Sequence, residues 1–155
     1  MMELTSLSLG IDIGSTTAKV VAVEGGKIIY EKYQRHFSQV RQKTLELLSE
    51  AAAATGERPF TAAISGSAGL GLAESAGVPF VQEVFATGEV VRTLEPDASA
   101  VIELGGEDAK MIFFDGGIDE RMNGSCAGGT GAFIDQIATL LNITADELDA
   151  LSPQS

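Results

Sequence analysis

A glycine turn near the N-terminus carries residue types that bind phosphate and magnesium. It comprises one carboxylate, one glycine, three hydroxyl side chains and one lysine: Asp12, Gly14, Ser15, Thr16, Thr17 and Lys19. A carboxylate late in a strand can hold a hydrated magnesium ion, and glycine lets backbone amides approach a phosphate. Lys19 could add a point charge. The alternative is a plain hairpin in which Gly14 supplies a positive φ and Asp12 is a solvated turn residue.

A second glycine turn carries three carboxylates within six residues. Its candidate residues are Glu103, Gly105, Gly106, Glu107 and Asp108. Paired glycines again permit amide contacts to phosphate, and the carboxylates suit magnesium coordination or the polarising of an attacking water. We therefore assign Asp12 and Glu103 as magnesium ligands, and Asp12 and Glu107 as catalytic residues. An ordinary acidic hairpin turn is the alternative, but two such turns are harder to dismiss than one.

A lone thiol stands just before a glycine-rich helix start. Cys126 precedes Gly128 and Gly129, where the positive end of the helix dipole favours a thiolate or a bound anion. A thiolate in such a place can be an iron–sulfur ligand. The alternative is a small buried cysteine in a turn. Because the chain has one cysteine, an intrachain disulfide is excluded, and any metal role for Cys126 needs a partner.

The secondary-structure pattern occurs twice along the chain. Apolar and β-branched runs predict strands within 7–23, broken at the first turn, and over 27–33, 61–65, 80–81, 100–104, 109–114 and 118–122. Helical spacing predicts helices over 39–54, 69–75, 82–94 and 128–141, with one more capped helix starting at Thr144. This weak repeat indicates two related lobes, residues 1–96 and 97–155. The second lobe lacks its return strands and helices, so we expect a truncated fragment.

Charge and composition narrow the function classes. A net charge of −12 argues against nucleic-acid binding by bulk attraction, so any phosphate must be held locally. No apolar run reaches the ~20 residues that cross a bilayer, and residues 1–10 lack a signal sequence. We therefore expect no membrane partner and a cytoplasmic protein. His36 lies in a polar stretch with no other ligand at metal-site spacing, and we expect it to be solvated.

Together the three motifs resemble those of the activators of 2-hydroxyacyl-CoA dehydratases and the related ATPase subunits of benzoyl-CoA reductase. The resemblance runs from Gly10 to about Ile143 and is most specific over residues 126–131, backed by 103–110. It looks closest to the activase-like modules of long multi-domain proteins. It implies an α/β, actin-like ATPase fold of two ribonuclease H-like lobes, with mixed sheets flanked by helices and ATP with Mg²⁺ between the lobes.

The resemblance also implies a mechanism. Two copies of the chain, or a pair of activase modules, share one [4Fe–4S] cluster, and each subunit gives two cysteines. ATP binding or hydrolysis opens the angle between the helices that face the cluster, so that a low-potential electron passes to the dehydratase or acyl-CoA reductase. In this picture Cys126 is the first cysteine ligand. Because the second cysteine and the adenosine-binding segment would lie beyond Ser155, we expect neither an intact cluster nor ATP turnover in this chain alone.

Departures from the family pattern leave alternatives open. The smaller activators commonly carry Asp and Gln where this chain has Glu103 and Glu107, so the magnesium and water geometry is expected to differ. A sugar or acetate kinase of the same fold would have similar phosphate turns. The sequence offers no convincing sugar-binding loop or catalytic base, and Cys126 would have no role in a kinase. A degenerate nucleotide-binding or assembly module is the third interpretation.

Overall fold

The computed structural model describes residues 6–122 and 130–151. The chain forms two compact units, which divide between Thr87 and Gly88. Both units combine β-strands with α-helices, so the predicted α/β class is confirmed. The domain boundary that the sequence places after residue 96 stays a prediction.

The first unit is built on a four-stranded mixed sheet. Its strands are β1 (Leu7–Ile13), β2 (Thr17–Glu24), β3 (Lys27–Arg35) and β4 (Phe60–Ser65), in the order β3-β2-β1-β4. Short turns join the first three strands into the predicted antiparallel meander, whereas β4 returns parallel to β1 after a helix. The C-terminal ends of β1 and β4 therefore lie at one edge of the sheet, where Asp12 pairs with Ser65.

Two helices belong wholly to the first unit, α1 (Val40–Thr55) and α2 (Leu70–Ala76), whereas α3 (Glu83–Leu94) contains the division between the units. The buried face of α1 supplies Leu47, which joins Ile13, Val20 and Ile64 of the sheet in one apolar cluster. Burying a side chain of this size contributes roughly 1.5–3 kcal/mol, so this cluster holds β1, and the turn that follows it, against the helix.

The second unit contains a three-stranded antiparallel sheet followed by two helices. The strands are β5 (Ala100–Leu104), β6 (Ala109–Phe113) and β7 (Asp119–Met122), and the helices are α4 (Gly131–Leu141) and α5 (Ala145–Leu151). The predicted start of α4 at Gly128 lies outside the described residues. None of the helices that the structure describes is both long and apolar enough to cross a membrane.

The predicted cap of α5 is confirmed. The Thr144 amide donates to Glu147 Oε2 at 2.7 Å, and the Glu147 amide donates to Thr144 Oγ1 at 3.2 Å. These reciprocal hydrogen bonds form a capping box, which satisfies amides that the helix cannot pair by itself. The hydrogen bond from the Thr144 backbone lowers the pKa of the Glu147 carboxyl below its usual value.

The turn after β4 lies against the carboxylate of the first glycine turn. Gly66 has a φ of +95°, and a Cβ built on it would clash with the Ile13 carbonyl and stand 2.5 Å from Asp12 Oδ1. The Ala68 amide donates to the same Ile13 carbonyl at 2.9 Å. Glycine is required here, because other residues disfavour this φ and the space for a side chain is filled. The turn after β4 therefore packs closely against Asp12 and leaves no space for a side chain at Gly66.

Replacing Gly66 with alanine should destabilise the first unit. A left-handed backbone costs a residue with a Cβ about 1–2 kcal/mol, and the clash with the Ile13 carbonyl adds to that loss. Urea unfolding followed by circular dichroism measures the change. Gly71→Ala is the matched control, since a Cβ on Gly71 meets nothing within 4 Å and alanine favours α2. Equal stability of the two variants would contradict this account of Gly66.

Candidate functional site

The two glycine turns are built alike. Four residues recur at the same spacing: Asp12, Gly14, Thr17 and Lys19 in the first turn, and Glu103, Gly105, Asp108 and Lys110 in the second. In both, the glycine amide donates to the carbonyl three residues later, at 2.9 Å in the first turn and 2.8 Å in the second. In both, the strand register places the lysine opposite the carboxylate. Each unit thus carries one copy of the same hairpin.

In the first turn the carbonyls are bound and the amides are open. The Gly14 carbonyl oxygen lies 3.1 Å from His36 Nε2, and the Thr16 carbonyl accepts from the His36 amide at 3.1 Å. The amides of Ser15 and Thr16 donate to no residue that the structure describes. A concave turn with successive open amides binds anions such as phosphate. The first turn therefore has two donors that the described residues do not use, and its phosphate-binding role stays a prediction.

The second turn shows the same division between carbonyls and amides. The carbonyls of Gly105 and Gly106 accept from the Gly131 and Ala132 amides at the start of α4, at 3.0 Å and 2.8 Å. The amides of Gly106 and Glu107 donate to none of the residues in the described ranges. The second turn is therefore hydrogen-bonded directly to the start of α4.

Each turn begins with a carboxylate, and one oxygen of that carboxylate forms an ion pair with a lysine. Lys19 Nζ lies 2.5 Å from Asp12 Oδ2, and Lys110 Nζ lies 3.6 Å from Glu103 Oε1. The other oxygens, Asp12 Oδ1 and Glu103 Oε2, are buried and have no hydrogen-bond partner within residues 6–122 and 130–151. A buried polar atom without a partner costs free energy. These two oxygens are therefore the candidate ligands for a divalent cation.

Neither backbone conformation nor packing requires a glycine at position 14. Gly14 has no positive φ, and a Cβ built on it would meet the Thr17 carbonyl and hydroxyl oxygens at 3.7 Å, an ordinary contact distance. The plain hairpin in which Gly14 supplies a positive φ is therefore wrong. Glycine at this position instead leaves space for a ligand to approach the open amides.

His36 is buried, and the expectation that it is solvated is wrong. The residue is 4% exposed, and its Nδ1 lies 3.2 Å from the Ser38 amide while Nε2 faces the Gly14 carbonyl. The burial of His36 was missed because most of the residues beside it in the sequence are polar. The pairing of Thr17 with Arg35 at the end of β3 brings the next residue beside the first turn. Extending the meander register would have indicated this contact.

The predicted site residues fall into two groups. The first turn holds Asp12, Gly14, Ser15, Thr16, Thr17 and Lys19, and the second holds Glu103, Gly105, Gly106 and Glu107, whose side chain is exposed. Cys126, Gly128 and Gly129 lie outside the described residues. Within the part of the chain that the structure describes, no three His, Cys, Asp or Glu side chains cluster as a metal site. A cation at either turn would therefore take further oxygen ligands from phosphate or water.

The turn after β4 was missed by sequence reasoning. Its Ser67 amide donates to Oε1 of Glu83, at the start of α3, at 3.2 Å, and its Gly66 contacts Asp12. The available signal was the pair Gly66 and Gly69 directly after a buried strand. Since parallel strands end at the same edge, this pair predicts a turn close to Asp12.

The fold and the two turns define the class of protein: the chain has the actin-like ATPase fold. The structure matches component A of (R)-2-hydroxyglutaryl-CoA dehydratase from Acidaminococcus fermentans with a TM-score of 0.86 at 24% identity, over 97% of this chain and 60% of that one. The activator of 2-hydroxyisocaproyl-CoA dehydratase from Clostridium difficile, solved with bound ADPNP, gives a TM-score of 0.82 at 24% identity, over 96% and 57%. The predicted fold is confirmed.

The chain belongs to the BadF/BadG/BcrA/BcrD ATPase family, whose model matches residues 9–155. The chain is 31% identical over 152 residues to the activator of lactoyl-CoA dehydratase from Anaerotignum propionicum. The aligned residues make up 96% of this chain and 59% of that relative. The resemblance inferred from the sequence motifs is confirmed. The chain spans about three fifths of the length of these relatives.

Removing Lys110 should cost more stability than removing Lys19. The Lys110 side chain is 11% exposed and that of Lys19 is 38% exposed, so solvent compensates for the loss of Lys19 more fully. We expect Lys110→Met to lower the free energy of unfolding by about 1–3 kcal/mol and Lys19→Met by about 0–1 kcal/mol. Urea unfolding of the two variants measures both values. A larger loss for Lys19→Met would refute this ranking.

Proposed function

We propose that this chain is the phosphate- and magnesium-binding part of an ATP-dependent activase. In the full-length protein, ATP hydrolysis would drive low-potential electron transfer from an iron–sulfur cluster to a 2-hydroxyacyl-CoA dehydratase or a related acyl-CoA reductase. The observation that carries the proposal is the repeated turn, in which open amides follow a carboxylate with an unpartnered buried oxygen. Membership of the ATPase family and the ADPNP bound to a relative of the same fold support it.

The residues at each turn fit a hydrated magnesium ion. Mg²⁺ prefers oxygen ligands, keeps several waters and uses one or two carboxylates together with substrate phosphates. Asp12 Oδ1 and Glu103 Oε2 are buried carboxylate oxygens that lack a donor among the described residues. Bound magnesium would neutralise the phosphate charge beside these acidic groups. Asp12 would be the carboxylate ligand at the first turn and Glu103 the carboxylate ligand at the second, and Glu107 would orient or polarise the attacking water.

The open amides and the lysines would bind the phosphates. The net charge of −12 repels an anion at long range, so binding depends on local donors. Ser15 and Thr16 offer amides in the first turn, and Gly106 and Glu107 offer them in the second. Lys19 adds a cation at the edge of the first turn. Each turn can therefore bind phosphate without a basic protein surface.

The hydrogen bonds between the second turn and α4 supply a route from nucleotide to cluster. The first two amides of α4 are bound by the carbonyls of Gly105 and Gly106. Cys126, the proposed cluster ligand, precedes this helix by a few residues and lies outside the described residues. A shift of the second turn on nucleotide binding or hydrolysis would therefore reach the start of α4 directly. A second copy of the chain, or a paired activase module, would complete the cluster.

Gly14→Ala should weaken nucleotide binding without unfolding the protein. The added methyl group fits the free structure, where it meets the Thr17 carbonyl and hydroxyl oxygens at 3.7 Å. We propose that it would crowd a phosphate bound at the neighbouring Ser15 amide, so we expect Mg-ADPNP affinity to fall by about tenfold or more, roughly 1.4 kcal/mol. Isothermal titration calorimetry on the full-length protein measures the affinity, and a thermal melt checks folding. Gly10→Ala, on the same strand, is the matched control because its Cβ meets nothing within 4 Å.

Two outcomes would contradict the nucleotide proposal. One is equal Mg-ADPNP affinity for Gly14→Ala and Gly10→Ala. The other is binding that survives Asp12→Ala without change, because the proposed magnesium ligand would then be idle. Absence of any Asp12-dependent binding would favour a degenerate or assembly module.

Cys126→Ser tests the electron-transfer part of the proposal. After anaerobic reconstitution of the full-length protein with iron and sulfide, the parent should show the broad absorption of an oxygen-sensitive iron–sulfur cluster, and Cys126→Ser should lose it. Reduction of the dehydratase component should be lost together with the chromophore. A colourless parent protein would contradict the cluster assignment. ATP turnover that depends on a sugar and survives Cys126→Ser would instead identify a kinase.

A further inference from the structure

We propose that His36 is a positioning residue for the first turn: its imidazole fixes the Gly14 peptide so that the Ser15 amide faces the phosphate. This inference rests on the proposed function, because the open amides matter only if the turn binds an anion. The observations that carry it are the burial of His36 and the engagement of both its ring nitrogens.

The contacts of the ring determine which nitrogen carries the proton. The Ser38 amide lies 3.2 Å from Nδ1, and a backbone N–H can only donate, so Nδ1 must accept. The neutral imidazole then carries its proton on Nε2. Nε2 lies 3.1 Å from the Gly14 carbonyl oxygen, which can only accept. The pair of contacts therefore defines one tautomer, with Nε2–H donating to Gly14.

This donor controls the orientation of the neighbouring amide. The described residues contain no cis peptide, and a trans peptide points its C=O and N–H in opposite directions. With the Gly14 carbonyl held toward His36, the Ser15 amide must point away from the ring. The His36 backbone amide holds the Thr16 carbonyl in the same way. One residue therefore fixes two peptide planes of the turn.

The backbone next to His36 is strained. Phe37 and Ser38 have φ values of +48° and +64°, a region that residues with a Cβ rarely adopt. Burial of Phe37 does not offset this cost, because the residue is 77% exposed. The strained pair instead places the Ser38 amide on Nδ1. The strain therefore serves to orient the imidazole.

The second turn shows how the carbonyls of such a hairpin are held without a histidine. There the carbonyls of Gly105 and Gly106 are bound by the first amides of α4, and the first turn has no helix start at the equivalent carbonyls. The ring of His36 supplies the donor to the Gly14 carbonyl, which is equivalent to that of Gly105, and the backbone of His36 supplies a second donor one position further along, at the Thr16 carbonyl. Two hairpins of the same design thus use different anchors for the same purpose.

Two substitutions at position 36 separate the ring contacts. Glutamine can place a side-chain amide where Nε2 stands and keep the donor to Gly14, whereas asparagine can place an oxygen where Nδ1 stands and keep only the contact with Ser38. In the full-length protein without nucleotide, hydrogen–deuterium exchange over residues 12–20 should rise in His36→Asn and stay near the parent level in His36→Gln. Mg-ADPNP affinity should fall about tenfold in His36→Asn and stay within about twofold in His36→Gln.

The outcomes distinguish this inference from the proposed function. Equal exchange and equal affinity in the two variants would overturn the positioning role, since burial of the ring alone cannot prefer glutamine. A parent protein that binds no Mg-ADPNP would overturn the proposed function, while the exchange measurement would still test the anchor. If His36→Asn fails to fold, nitrogen NMR of labelled histidine in the parent decides. A protonated Nε2, assigned by loss of the signal in His36→Gln, is expected, and a protonated Nδ1 would overturn the inference.

Discussion

The open amides of the two glycine turns depend on what holds the carbonyls of the same turns. A trans peptide has one donor and one acceptor on opposite sides, so fixing the acceptor against the protein exposes the donor. In the first turn the Gly14 and Thr16 carbonyls are bound by His36, and in the second the Gly105 and Gly106 carbonyls are bound by α4. This constraint acts on the Gly14–Ser15 peptide in the first turn and on the Gly105–Gly106 and Gly106–Glu107 peptides in the second, so it accounts for the open amides of Ser15, Gly106 and Glu107.

The carboxylates are held by a related principle. Asp12 and Glu103 each face a lysine across a hairpin, and each keeps one buried oxygen without a partner among the described residues. The lysine offsets the charge of the carboxylate, and the remaining oxygen is available to a cation. The buried turn at Gly66 limits the space beside Asp12 still further. Within the described residues each turn thus offers one carboxylate oxygen, and no three potential ligands cluster as a complete metal site.

Much of this could be predicted from the sequence, because the signals were local. The meander around Gly14, the paired strands around Gly105 and the capped start at Thr144 all follow from alternation, turn residues and spacing. The burial of His36 was missed because most of the residues beside it in the sequence are polar, and only the extended pairing of β2 with β3 brings His36 to the first turn. Gly66 was missed because its neighbour is Asp12, on another strand.

The anchors also differ in what they connect. His36 directly follows β3 and connects the first turn to the end of a strand in the same sheet. The second turn is tied to the start of a helix that follows a glycine-rich segment. A displacement of the second turn would therefore also act on the start of α4, whereas the first turn has no such connection among the described residues.

Asp12 and Glu103 lie opposite their lysines because each hairpin has one particular register. Successive side chains of a strand point to opposite faces, so a slip of one residue would turn Lys19 away from Asp12 and Lys110 away from Glu103. The number of residues between the paired strands is therefore constrained by the pairing of each carboxylate with its lysine as well as by folding. A loop of this kind tolerates changes of residue type far better than the insertion or deletion of a single residue.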